Sequence, residues 1–423
     1  VTSHSDSTRG RDLRSRPRAA LVLAPAAAVA ALVVGGAVYA GSDTWEGTSG
    51  PPREGNALVT DWQARNQGQQ VLGGSRTPGT PTIQRIRHDD VQFTVTVAPA
   101  RPGRNLVRVD ATPIGDTHRH RGLPVLVGTG PHDMVRAVPR PGTDGLWAVV
   151  DLPEGQGTVL VSHGPRHRVP FAVETGIAGS GAPDTSAWTS SDGPECLTSA
   201  TGSLIAGGLA PTTCPAEDLT AADRGALVSV VATLASRGVT ELAVEADGSP
   251  RSRAAYAAVR EAATAHHVRV VDPADPPGTR NALLVVSGWA DAARTLTRTT
   301  ALPLARQPMR SDGTWLAPWL LTPQVVDSTL GAILPLDFDV RDPAAQEFSQ
   351  TLVRWFPGQS PTAAGYLAWR AQHGDDPDPW SLYAATRAAY MPAQGHHQHH
   401  ETAVAWFPGG TVTPVGLLAP ASS

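Results

Sequence analysis

The chain has 423 residues, 41% of them hydrophobic and 17% charged, with a formal net charge of −4. It is long enough for two or three domains with a sizeable core, and so mild a charge leaves no electrostatic footprint for a nucleic-acid partner. It contains no lysine, so its fixed positive charge is arginine, a composition expected of a very GC-rich genome.

Residues 1–18 are polar and carry Arg9, Arg11, Arg14, Arg16 and Arg18. Ala19 to Tyr39 is apolar and uncharged, close to the ~20 residues that cross a bilayer as a helix. The one-sided arginines predict a transmembrane signal anchor over 19–40, with a cytoplasmic tail and the remaining chain outside the cytoplasm. Val38-Tyr-Ala40 also has the small residues of a signal-peptidase site, so cleavage after Ala40 and secretion is the second reading. Residues 41–84, rich in Gly, Pro, Ser, Thr and Arg, read as a flexible tether.

Residues 85–175 change pattern. Val91–Val97 and Asn105–Ala111 alternate with period 2, and Leu123–Val127, Leu146–Val150, Gly157–Ser162 and Arg168–Val173 follow between Gly, Pro and Asp turns. Short strands at this spacing predict a small all-β sandwich. His118-Arg-His120 could offer two imidazoles to a metal, but Arg119 and Arg121 oppose a cation there, and solvated loop histidines are the favoured reading.

Val95-Thr-Val-Ala-Pro-Ala-Arg-Pro-Gly-Arg-Asn, Gly145-Leu-Trp-Ala-Val and Pro170-Phe-Ala-Val together resemble the YtkA/CopC-like immunoglobulin-type domain. That resemblance implies an exported domain of the kind that accompanies copper-handling membrane proteins.

Residues 176–194 are a second linker, and 195–420 read as an α/β domain with a mainly parallel sheet. Cys196 and Cys214 predict a disulfide if the domain lies outside the cytoplasm. Thr220 to Asp223 starts a helix with a capping-box pattern. From Thr240 to Ala305 short apolar runs alternate with helical stripes. Glu241–Ala246 is a strand, Ser249 caps a helix with Pro250 in its first turn, and His267–Val271 and Asn281–Ser287 are further strands. A helix through Ala292 and Leu296 then leads to a predicted strand at Ala301–Ala305. Strands alternating with helices predict βαβ units. Gly331–Phe338 reads as another strand, Asp342-Pro343 starts a helix, and Asp378-Pro379 starts another that runs to Tyr390. The carboxylates of Asp337, Asp339, Asp342, Asp375, Asp376 and Asp378 read as caps or solvated charges.

Ala282-Leu-Leu-Val-Val-Ser-Gly288, Leu316-Ala-Pro318, the Gly331 to Pro343 segment and Phe356-Pro-Gly-x-x-Pro-Thr362 resemble the type I periplasmic binding proteins of the branched-chain amino-acid-binding kind. The chain upstream of Gly238 is too short for a normal first lobe, so the resemblance implies a truncated cleft. The ligand contacts it implies are Asp247, Ser249, Ser287 and Gly288, and ordinary βα turns are the alternative for the same four residues.

Gly395-His-His-Gln-His-His-Glu401 is the densest ligand set in the sequence. Within the loop 395–401, His396, His397, His399, His400 and Glu401 make a candidate site for copper first and zinc second. No Gly-x-Ser-x-Gly elbow, His-Glu-x-x-His or Walker loop is present. Binding is therefore favoured over catalysis: an extracytoplasmic protein that presents a transition metal or a small solute to a membrane partner such as a transporter. A metal-dependent enzyme using the histidine loop, and a non-catalytic scaffold, are the alternatives.

Overall fold

A computed structural model describes residues 70–73, 78–114, 123–164, 167–177, 193–387, 406–407 and 409–420. Strands β1 (Gln70–Gly73) and β2 (Thr82–His88) come first, β1 inside and β2 beginning within the segment 41–84 that reads as a tether. The predicted strand segments become β3 (Val91–Ala98), β4 (Gly103–Pro113), β5 (Val125–Gly128), β8 (Leu146–Leu152), β9 (Gly155–His163) and β10 (His167–Gly176), with the short β6 (Val135–Arg136) and β7 (Val138–Pro139) added between β5 and β8. They form two sheets, ordered β1-β2-β3-β4-β8-β7 and β10-β9-β5-β6, with every pairing antiparallel. Alternation sends Phe93, Val95, Val107 and Val109 into one core with Val127, Val161 and Phe171 of the other sheet.

The first sheet is covered on its other face as well. Ala98, Leu106 and Trp147 belong to the core of the α/β part. Trp147 stacks on Phe356 with centroids 5.6 Å apart, the Thr96 hydroxyl donates to the Trp355 carbonyl at 2.8 Å, and the Asp144 amide donates to the Gly358 carbonyl at 3.0 Å. Buried Thr94 and Thr96, polar in the sequence pattern, therefore lie in a sheet packed on both sides.

The α/β part runs α1 (Gly193–Ile205), α2 (Ala221–Ser236), β11 (Glu241–Glu245), α3 (Pro250–Ala265), β12 (Arg269–Val271), β13 (Asn281–Val285), α4 (Trp289–Ala301), β14 (Thr314–Leu316), α5 (Pro323–Val326), β15 (Ala332–Leu336), α6 (Pro343–Trp355), α7 (Ala363–His373), β16 (Ser381–Arg387) and β17 (Gly410–Leu417). Its sheet is ordered β12-β11-β13-β14-β15-β16-β17. The strands are parallel through β15, and β16 and β17 are added antiparallel. Leu242, Ala243 and Val244 of β11 and all of β13 are buried, as continuous apolar runs in a sheet covered on both faces require.

Several sequence expectations are corrected here. No helix among the described residues is long and apolar enough to cross a membrane. The single-pass anchor is therefore withdrawn from the fold class and the localisation, and segment 19–40 itself lies outside the described residues. The fold is mixed α/β with antiparallel sheets throughout its amino-terminal part. The helix predicted from Asp378-Pro379 is strand β16: an N-cap followed by proline resembles a helix start, but pairing to β15 on one side and β17 on the other overrides that local signal. The strand predicted at Ala301–Ala305 is the end of α4 and a short 3₁₀ turn over Leu304–Arg306, and the strand itself comes later, at β14.

Cys196 and Cys214 form a disulfide, 18 residues apart in sequence. It fastens the first turn of α1 to the segment leading into α2, and both cysteines are buried. Closing a loop of this length restricts the unfolded chain by about 3 kcal/mol. The Cys196→Ser/Cys214→Ser double variant is expected to lose that amount in urea unfolding. A loss below about 1 kcal/mol would mean that the buried packing around the loop, not the cross-link, holds it.

Candidate functional site

The parallel strands end on one edge of the sheet, and the chain turns there into its helices. Open parallel sheets bind ligands outside the carboxyl ends of their strands, because helix starts and loops surround a crevice there. At this edge lies a cavity of about 250 Å³. That is larger than the ~150 Å³ that accommodates benzene and just below the ~300 Å³ at the small end of ordinary ligand pockets.

The ends of β14 and β15 provide its floor. After β14 a 3₁₀ turn over Pro318–Leu320 presents Trp319, whose Nε1–H donates to the Ser287 carbonyl at 3.1 Å. After β15 come Asp337 and Phe338. The walls are the starts of helices: Glu195 and Ser199 of α1, Asp223 of α2, Arg251 of α3, and Ala363, Ala364, Leu367 and Ala368 of α7. Pro211 and Pro215 flank Cys214 and close one side, and Trp380 closes another.

Charge in this apolar surround is held in pairs. Glu195, fully buried, accepts two hydrogen bonds from Arg251, at 2.5 Å from Nη1 and 2.8 Å from Nη2. Arg251 Nη1 also donates to the Pro215 carbonyl at 3.1 Å, and the guanidinium lies 4.6 Å from the Trp319 ring centroid. Asp337 is paired with Arg370, Nη2 to Oδ2 at 2.6 Å, while Nη1 donates to the Asp337 carbonyl at 3.0 Å. Among the described residues no arginine is in hydrogen-bond contact with Asp223. Its Oδ2 accepts from the Thr220 hydroxyl at 2.8 Å, and the Thr220 oxygen accepts the Asp223 amide at 3.0 Å, a reciprocal cap of α2. Burial pushes the Asp223 carboxyl above the usual range, against the lowering influence of Thr220 and Arg251, and with Glu195 and Asp337 adding repulsion.

The four positions implied by the binding-protein resemblance converge on the crevice between β11 and β13, where the strand order reverses direction. Three of them, Asp247, Ser249 and Gly288, meet one another there. Asp247 Oδ1 accepts the Ser249 amide at 2.8 Å and Oδ2 accepts the Gly288 amide at 2.6 Å. Ser249 Oγ caps α3 by accepting the Ser252 amide, and Ser287 is fully buried. The Asp247 carboxylate thus occupies the spot at two helix starts where an anionic ligand group would otherwise accept backbone N–H bonds. Burial raises its pKa, but the hydrogen bonds from Ser249, Gly288 and Ser252 outweigh burial and leave it below the usual carboxylate range.

A carboxylate with a depressed folded pKa stabilises the fold above its unfolded value of about 3.9, and that contribution disappears as pH falls through the folded value. Asp247→Ala is expected to cost about 1 kcal/mol at neutral pH, since two half-buried amides lose their acceptor. Chemical denaturation from pH 7 to pH 2 checks the sign: the gap to wild type should narrow below about pH 4. A gap independent of pH would contradict the assignment.

The histidine-loop residues His396, His397, His399, His400 and Glu401 lie outside the described residues, as do His118 and His120. Among the described residues no group of three or more His, Cys, Asp or Glu side chains is arranged to hold a metal ion. Sequence reasoning missed Glu195, Arg251, Trp319 and Trp380, and it took Asp337 for a solvated or capping charge. The one available signal was a lone glutamate beside a cysteine at the head of an apolar helix, which needs a buried partner.

No protein-family model and no curated protein matches the chain. Similar solved structures include an extracellular ligand-binding receptor from Verminephrobacter eiseniae, 16% identical over 35% of this chain and 48% of that one, with a TM-score of 0.26. A branched-chain amino acid ABC transporter periplasmic ligand-binding protein from Burkholderia xenovorans is 13% identical over 46% of this chain and 63% of that one, with a TM-score of 0.30. A branched-chain amino acid ABC transporter protein from Thermus thermophilus with bound valine is 17% identical over 40% and 50%, with a TM-score of 0.26. The chain spans about half the length of the first and third of these. The YtkA/CopC resemblance of the sandwich gains nothing from them.

Proposed function

We propose that this protein binds a small, largely apolar solute, about the size of one ring with a short arm, at the carboxyl edge of its parallel sheet. The supporting observation is the cavity itself, about 250 Å³ walled by Trp319, Phe338, Leu367 and Trp380 with a few fixed polar groups at its margin. Apolar walls supply affinity through the area they remove from water, and sparse polar groups orient the guest. The disulfide beside one wall accords with an oxidising compartment.

The test is a titration with 2-phenylethanol and 2-phenylethylamine, read by tryptophan emission, because Trp319 and Trp380 face the guest. Ala368→Phe places a ring in the cavity from the half-buried side of α7 and should abolish the response while the thermal midpoint is kept. A response that survives Ala368→Phe would place binding elsewhere.

A further inference from the structure

The cavity carries an unequal charge account. Three carboxylates stand at its wall, Glu195, Asp223 and Asp337. Two guanidiniums answer them, and each is committed: Arg251 to Glu195 and Arg370 to Asp337. Asp223 is left over, in a setting that disfavours its charge. The starts of α2, α3 and α7 also face this edge, and helix starts attract anions. Those starts are capped by the chain's own side chains: Thr220 accepts the Asp223 amide, Ser249 the Ser252 amide and Thr362 the Gly365 amide. A carboxylate on the guest would thus find both arginines engaged and the Asp223 carboxylate, which has no ion-pair partner of its own among the described residues, facing it, whereas an ammonium would neutralise Asp223. The Trp319 ring already carries the Arg251 guanidinium, so the aromatic ring left to favour a cation is Trp380, which lines the same cavity.

We infer that the guest is a small apolar amine without a carboxylate, its ammonium donating to Asp223 and its apolar body against Trp319, Phe338 and Trp380. This rests on the cavity being a ligand site, and it sets the chain apart from an amino-acid binder, because a zwitterion brings a carboxylate that nothing here receives.

Four probes of one skeleton test it on the full chain by calorimetry: 2-phenylethylamine, 2-phenylethanol, phenylalanine and 3-phenylpropanoate. The amine should bind at least tenfold tighter than the alcohol, with phenylalanine and the propanoate weaker still. Asp223→Asn, which keeps the hydrogen bond from Thr220, should remove the amine's advantage and leave the alcohol's affinity within twofold. Equal binding of amine and alcohol, or tighter binding of phenylalanine, overturns the inference and leaves the ligand site standing. If none of the four binds at millimolar concentration, both fall.

Discussion

Arg251→Met is expected to destabilise the protein by about 3–5 kcal/mol, among the largest losses for any single substitution here. Arg251 is 3% exposed and Glu195 0%. Removing the guanidinium leaves a carboxylate buried with no charge partner, and the desolvation penalty of that charge then falls on the fold. The same substitution frees the Pro215 carbonyl beside Cys214 and takes the cation from the Trp319 face, a contact worth up to about 2 kcal/mol when dry. Urea unfolding of Arg251→Met and of Glu195→Gln/Arg251→Met separates pair from charge. The double variant should recover part of the loss, because neither residue then carries an unpaired charge. A double variant no better than the single one would show that shape, not charge, dominates there.

Trp147→Ala is expected to cost about 3–5 kcal/mol as well and to divide one cooperative unfolding transition into two. Trp147 is 2% exposed. It stands on β8 of the sandwich, yet its ring stacks on Phe356 beyond α6, while its Nε1–H donates to Thr143 at 2.9 Å. Arg108 lies 6.0 Å from the ring centroid. Loss of this ring opens the shared core between the sandwich and the α/β part, leaving Ala98 and Leu106, the Thr143–Gln359 bridge, and the hydrogen bonds from Thr96 to Trp355 and from Asp144 to Gly358 across it. Differential scanning calorimetry reads the outcome directly. A single transition moved only in midpoint would mean that the remaining contacts, Ala98 and Leu106 together with the polar links, keep the two parts cooperative.

The parallel sheet was legible because β13 and the centre of β11 are buried and so appear as unbroken apolar runs, with Ser249 and Pro250 marking the start of α3. Strand β16 was not, because Asp378-Pro379 imitates a helix start and the partners that overrule it, β15 and β17, are remote in sequence. The cavity was hidden for a similar reason. Glu195 and Arg251 are 56 residues apart, and Trp319, Phe338 and Trp380 come from three further segments, so no local spacing announces them. The histidine run attracted attention by density alone, whereas the cavity is an assembly of single residues delivered to one sheet edge by topology. At the β11/β13 crevice, sequence reasoning found four residues that do converge, but not that Asp247 itself supplies the acceptor at two helix starts.

The most direct measurement is a crystal structure of the full chain grown with 2-phenylethylamine. Electron density for the ring between Trp319, Phe338 and Trp380, with the nitrogen about 2.7–3.2 Å from the Asp223 carboxylate, is the expected result. An empty cavity at saturating amine, or amine bound only on another surface, would contradict the account.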